Sequence, residues 1–101
     1  MEKIHEILQE IKARPKIYLG TISLELLDAF IGGCICYHHK LTGSYLEFLP
    51  GFDKFIHDRF DIQSTQGWAT IIRFFSESDE AAFYKFYDLL EEFLSLNNKG
   101  N

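Results

Sequence analysis

The sequence predicts an all-α domain, a compact bundle of about five helices around a central apolar helix. Three observations lead there. Apolar residues recur at helical spacing in stretch after stretch, no run keeps the two-residue alternation of a half-buried strand, and a serine followed by acids precedes the two longest apolar stretches. Nothing repeats at a period of 20 to 50 residues, and frequent aromatics in place of alanine and leucine heptads exclude a coiled coil.

The first helix carries Ile4, Ile7, Leu8 and Ile11 on one face, with Glu2, Lys3, Glu6, Gln9, Glu10 and Lys12 on the rest of the wheel. Pro15 ends it, because proline has no N–H to donate and pushes Arg14 out of the helical region. The stretch RPKIYLG is then read as a corner: Ile17 and Leu19 turn into the core and Gly20 permits the bend toward Ser23.

Ser23 caps the second predicted helix, with Glu25 and Asp28 near its positive end. This helix runs to about Leu41 and is apolar on nearly every side, the pattern of a central buried element. Gly32 and Gly33 each cost about 1 kcal/mol against alanine in a helix interior, so their expected use is the close approach of a neighbouring helix. Thr42, Gly43 and Ser44 form a turn, and Tyr45 to Leu49 fits either an extended or a helical segment.

A third helix follows Pro50 and Gly51, burying Phe52, Phe55, Ile56 and Phe60 and turning Asp53, Lys54, Asp58 and Arg59 to water. After a loop over Gln63 to Gly67, Trp68, Ile71, Ile72 and Phe75 mark a short fourth helix. The fifth starts at a cap from Ser76 or Ser78, gathers Glu77, Asp79 and Glu80 in its first turn, and buries Phe83, Phe86, Tyr87, Leu90, Phe93 and Leu94. The tail NNKGN is read as its stop.

At 101 residues the chain is a single domain, residues 1–101, and its 47% hydrophobic and 16% aromatic content is far from the signature of disorder. Fifteen acids against ten bases leave a net charge of −5, which argues against nucleic acid as partner and suits a basic one. No apolar stretch resembles a signal peptide or reaches the ~18 residues of a membrane span, so a cytoplasmic chain with no membrane partner is expected.

Cys34 and Cys36 point roughly 200° apart on a helix and cannot bond each other. They are read as reduced core residues. Cys34 and His38 share a helical face, with Cys36, His39 and His57 as further candidates, but a structural zinc site needs four ligands, commonly as two close pairs, and here the second pair would have to come from a lone histidine and a carboxylate; no metal or other cofactor is expected. A small metal-dependent or thiol enzyme around Cys34, His38 and His57 is the weakest reading, since no P-loop, G-x-G-x-x-G, H-E-x-x-H or G-x-S-x-G is present. No catalytic residue is assigned.

The last helix carries a different signal. Between Glu77 and Glu92 stand six acids and one base, Lys85, and Asp88 places like charges beside Glu91 and Glu92 at i+3 and i+4. Tyr84 falls off the apolar stripe, and a tyrosine exposed beside carboxylates is a common feature of binding surfaces.

RPKIYLG resembles the R-P-G-M-Y-I-G segment of gyrase-type ATPases, yet the D-x-G-x-G loop and the acid-and-asparagine helix of that family are missing, so it implies no nucleotide. A longer resemblance covers most of the chain. Arg14, Pro15, Tyr18, Leu19, Gly20, Ser23, Leu24, Leu27, Phe30 and Gly33, then Phe60, Trp68, Asp79, Glu80, Ala82, Phe83, Phe86 and Leu90, are similar to a group of short bacterial proteins with an R-P-x-x-Y-L-G motif. In this chain Lys16 and Ile17 stand where glycine and methionine are usual. Some members of that group look like toxin immunity proteins, which implies a non-enzymatic protein that binds and neutralises one cognate toxin. The acidic balance makes a basic nuclease the expected target, steered by charge. The expected contact residues are Tyr84, Asp88, Glu91 and Glu92, with Glu47, Asp53 and Asp58 as a second patch. The alternative is a small homodimeric protein-interaction module with an apolar interface near Phe52, Phe55 or Trp68.

Overall fold

A computed structural model describes residues 2–99, and among these the chain is all-helical: α1 (Glu2–Ala13), α2 (Pro15–Leu19), α3 (Leu24–Thr42), α4 (Phe52–Arg59), α5 (Trp68–Phe74) and α6 (Asp79–Lys99). The helix beyond the expected number is α2. Arg14 leaves the helical region at φ −139°, and Pro15, with its backbone preset for a first turn, starts five further helical residues. Gly20 closes them in the left-handed conformation at φ 83°, its N–H donating to the Lys16 carbonyl at 2.9 Å. Leu19 packs on the core as expected, but Ile17 is 72% exposed and does not.

The helix at the centre is α6. It buries Ala82, Phe83, Phe86, Tyr87, Leu89, Leu90 and Phe93, whereas α3 commits only Leu24, Leu27 and Ile31 among its buried residues. An apolar composition therefore misidentified the central element. No atom lies within 4 Å of the point where a Cβ would stand on Gly32 or Gly33, so neither glycine serves a helix contact inside the chain. Cys36 is exposed as well, and only Cys34 of the two thiols is half-buried; both are free.

Aromatic packing ties α4 and α5 to α6. Phe86 stacks on Trp68 with centroids 5.0 Å apart, Phe52 meets Phe86 edge-on at 5.7 Å and Phe93 at 5.4 Å, and Phe55 lies 5.4 Å from Phe93. Each such pair contributes about 0.5 to 1.5 kcal/mol beyond its buried area. Phe52 is thus buried in the core, and Phe55 and Trp68 are partly buried against it. On the other side, the Tyr87 hydroxyl donates to the Leu8 carbonyl at 2.6 Å and joins α1 to α6.

Residues 45–47 form neither helix nor strand. Leu49 adopts a left-handed φ of 47°, which costs a residue with a Cβ about 1 to 2 kcal/mol, offset by burial of its side chain. Ser78, not Ser76, caps α6, accepting the Ala81 N–H at 3.0 Å. The asparagines after Leu96 do not stop that helix, which continues through Lys99.

Candidate protein-binding face

Because α6 buries one side continuously, its opposite side is held rigidly toward solvent. Tyr84, Asp88 and Glu91 follow one another there at i, i+4 and i+7, and all three are exposed. Among the described residues neither Asp88 nor Glu91 forms an ion pair. Glu92 differs: Arg59 of α4 donates its Nε–H to Glu92 Oε1 at 3.0 Å, so this carboxylate links two helices at the surface.

Tyr84 adjoins the α1–α2 corner. It lines an open cleft of about 440 Å³ with Lys12, Arg14, Pro15, Lys16 and Ile17, which brings the RPKI stretch and the acidic helix to one place. None of these three cations has an ion-pair partner among the described residues. The face is therefore mixed, with cations around Tyr84 and free carboxylates further along α6. Glu91 also borders a second groove between α1 and α6 with His5, Gln9 and Lys12, and the Lys12 ammonium lies over the Tyr87 ring at 5.6 Å.

In the second expected patch Glu47, Asp53 and Asp58 are all exposed, and two of them also make contacts within the fold. Asp53 Oδ1 accepts the Trp68 N–H at 2.9 Å and so caps α5 from a neighbouring helix, while its Oδ2 sits 3.3 Å from His57 Nδ1. Asp58 pairs with Lys54 at 2.7 Å one turn away. Glu47 is exposed in the segment before α4.

His57 is only 17% exposed at its side chain, and its Nδ1–H donates to the Asp53 carbonyl at 2.8 Å. That bond leads the causes that raise its pKa above the ordinary 6.5, with the Asp53 charge and the backbone around Ser64 and Gln66 adding to it against the effect of burial. Cys34 and His38 remain on α3 and His57 on α4, and among the described residues no three His, Cys, Asp or Glu side chains gather as a metal site would require. Burial pushes the Cys34 thiol up, away from the thiolate that a nucleophile needs. Among the described residues no helix is long and apolar enough to cross a membrane.

The cleft that joins Tyr84 to Lys12, Arg14 and Lys16 had no signal in the sequence, where those residues stand some 70 positions apart. Comparison of the chain with protein-family models, with curated proteins and with solved structures finds no match.

Proposed function

We propose that the protein is a non-enzymatic immunity protein that binds a basic toxin with the outer face of α6 and keeps it from its substrate. The observation that supports this reading is the stripe Tyr84, Asp88, Glu91: an aromatic anchor and two carboxylates in register, free of ion pairs among the described residues, on a helix fixed by the core behind it. Holding the carboxylates in place before contact lowers the ordering cost of binding, and the net charge of −5 speeds encounter with a cationic groove. A tyrosine half-open to solvent, 46% exposed, has area left to bury against a partner.

The test is co-expression with the product of the gene immediately upstream. The wild type is expected to bind that product and restore growth, and the Asp88→Lys, Glu91→Lys double variant to lose both while remaining folded. Rescue by the double variant would exclude this face, and absence of binding by the wild type would overturn the immunity reading.

A further inference from the structure

We propose that the uncovered side of α3 is a self-association surface, on which two copies of the chain pack their α3 helices antiparallel with the crossing at Gly33. The inference is independent of the toxin reading, since α3 and the α6 stripe share no residue.

The core takes Leu24, Leu27 and Ile31 from one side of α3. A step of about 100° per residue places Leu26, Ala29, Gly33, Cys36 and Tyr37 together on the opposite side, with Leu41 at its edge. Leu26 is 42% exposed, Tyr37 68% and Leu41 69%. A contiguous apolar strip left open to water marks an interaction site rather than a free surface. Gly33 sits in the middle of this strip and Gly32 beside it, both with open space above them. Glycine weakens a helix interior, and here the missing side chains relieve no crowding within the chain. They leave a shallow saddle into which a second helix fits closely, with Tyr37 large enough to lie across the small Ala29 of the other copy.

Charge selects the occupant. The strip begins beside Glu25 in the first turn and ends with Lys40 in the last, seven residues after Gly33 and on its line. Ala29 and Tyr37 lie four residues either side of Gly33, and Glu25 and Lys40 lie eight and seven either side. A second copy turned about a two-fold axis at Gly33 therefore meets Ala29 with Tyr37, and the level of Glu25 with that of Lys40, twice over. The helix dipoles then oppose each other favourably. The same patch serves both copies, as a two-fold interface requires. A parallel pairing would stack Glu25 on Glu25 and Lys40 on Lys40, which like-charge repulsion disfavours.

Sedimentation velocity of the wild-type protein over a wide concentration range is expected to show a dimer; a monomer at every concentration would overturn the proposal. Gly33→Leu is expected to weaken the dimer at least tenfold while its dilute monomer melts no lower than wild type, because leucine outranks glycine in a helix. A dimer that survives this change overturns the crossing point. In a Cys34→Ser, Cys36→Ser background, Gly33→Cys is expected to cross-link to itself on oxidation and Leu26→Cys is not. The antiparallel arrangement sets the two position-26 residues about 21 Å apart along the axis, beyond the roughly 4.4 to 6.8 Å that a disulfide spans between Cα atoms. The reverse pattern would contradict the antiparallel geometry. Glu25→Lys should weaken association about two- to fivefold, and adding Lys40→Glu should restore it; failure to restore would count equally against that geometry.

Discussion

The Asp79 carboxylate accepts the backbone N–H of Leu24 at 3.0 Å, so the first residue of α6 caps the start of α3 across 55 positions of sequence. The same oxygen accepts the Glu25 N–H at 3.1 Å, and the other accepts the Ser23 hydroxyl, whose oxygen in turn accepts the Leu26 N–H at 3.0 Å. One carboxylate and one hydroxyl thereby satisfy three of the orphan donors at this helix end, and the charge sits near the positive ends of two dipoles. Charged hydrogen bonds and caps each contribute about 1 to 2 kcal/mol. Asp79→Ala should destabilise the protein by about 2 to 3 kcal/mol and Ser23→Ala by about 1 kcal/mol. In urea titrations the double variant should lose less than the sum, because the two groups act as one unit.

Asp53 and His57 predict a pH dependence. The folded protein raises the His57 pKa, chiefly through the bond to the Asp53 carbonyl and then through the nearby carboxylate. A raised histidine favours the folded state fully below the unfolded value near 6.5, and that contribution is lost as pH climbs through the folded value. The stability lost on His57→Ala should therefore be larger at pH 5.5 than at pH 8.5. In proton NMR titrations His57 should titrate above 6.5, and Asp53→Asn should move it down.

Tyr87 is buried and its hydroxyl donates to the Leu8 carbonyl. Burial pushes its ionisation far above the ordinary tyrosine range. Tyr87→Phe should cost about 1 kcal/mol, the net worth of one hydrogen bond with its packing retained. In an alkaline absorbance titration this phenol should ionise only together with unfolding.

Phe86 touches both Phe52 and Trp68 and is fully buried. Phe86→Ala should cost about 3 to 5 kcal/mol, a large share of the stability of a domain this size. Trp68, the only tryptophan in the chain, reports the change directly: its emission should shift to the red as the stacking ring is removed.

Asp88 and Glu91 make no ion pair among the described residues, and they repel each other at i+3. Asp88→Lys should leave stability within about 0.5 kcal/mol of wild type, whereas Glu92→Ala removes the link to Arg59 and should cost about 0.2 to 1 kcal/mol. Thermal melts of the two variants, compared with their binding, separate the recognition role proposed for the stripe from a structural one.

Local chemistry along the chain was enough to reveal the all-α class and most helix boundaries. Pro15 and Ser78 act within a few residues of their own positions, as does Ser23 in accepting the Leu26 N–H, and the 3.6-residue spacing of Ile4, Ile7, Leu8 and Ile11 records which side of α1 meets an apolar surface. Tyr84, Asp88 and Glu91 could be placed on one outward face for the same reason. Which apolar helix lies at the centre was decided only in three dimensions. A composition that is apolar all round is shared by a buried helix and by one with an uncovered side, and only the packing of α1, α4 and α5 on α6 distinguishes them. The use of each acid was likewise hidden. Asp53, Asp79 and Glu92 resemble Asp88 and Glu91 in sequence, yet the first two cap helices of distant segments and Glu92 pairs with Arg59. A carboxylate is a capping group, an ion-pair partner or a free binding group according to the donor the fold brings within about 3 Å, and that distance is a property of tertiary structure alone.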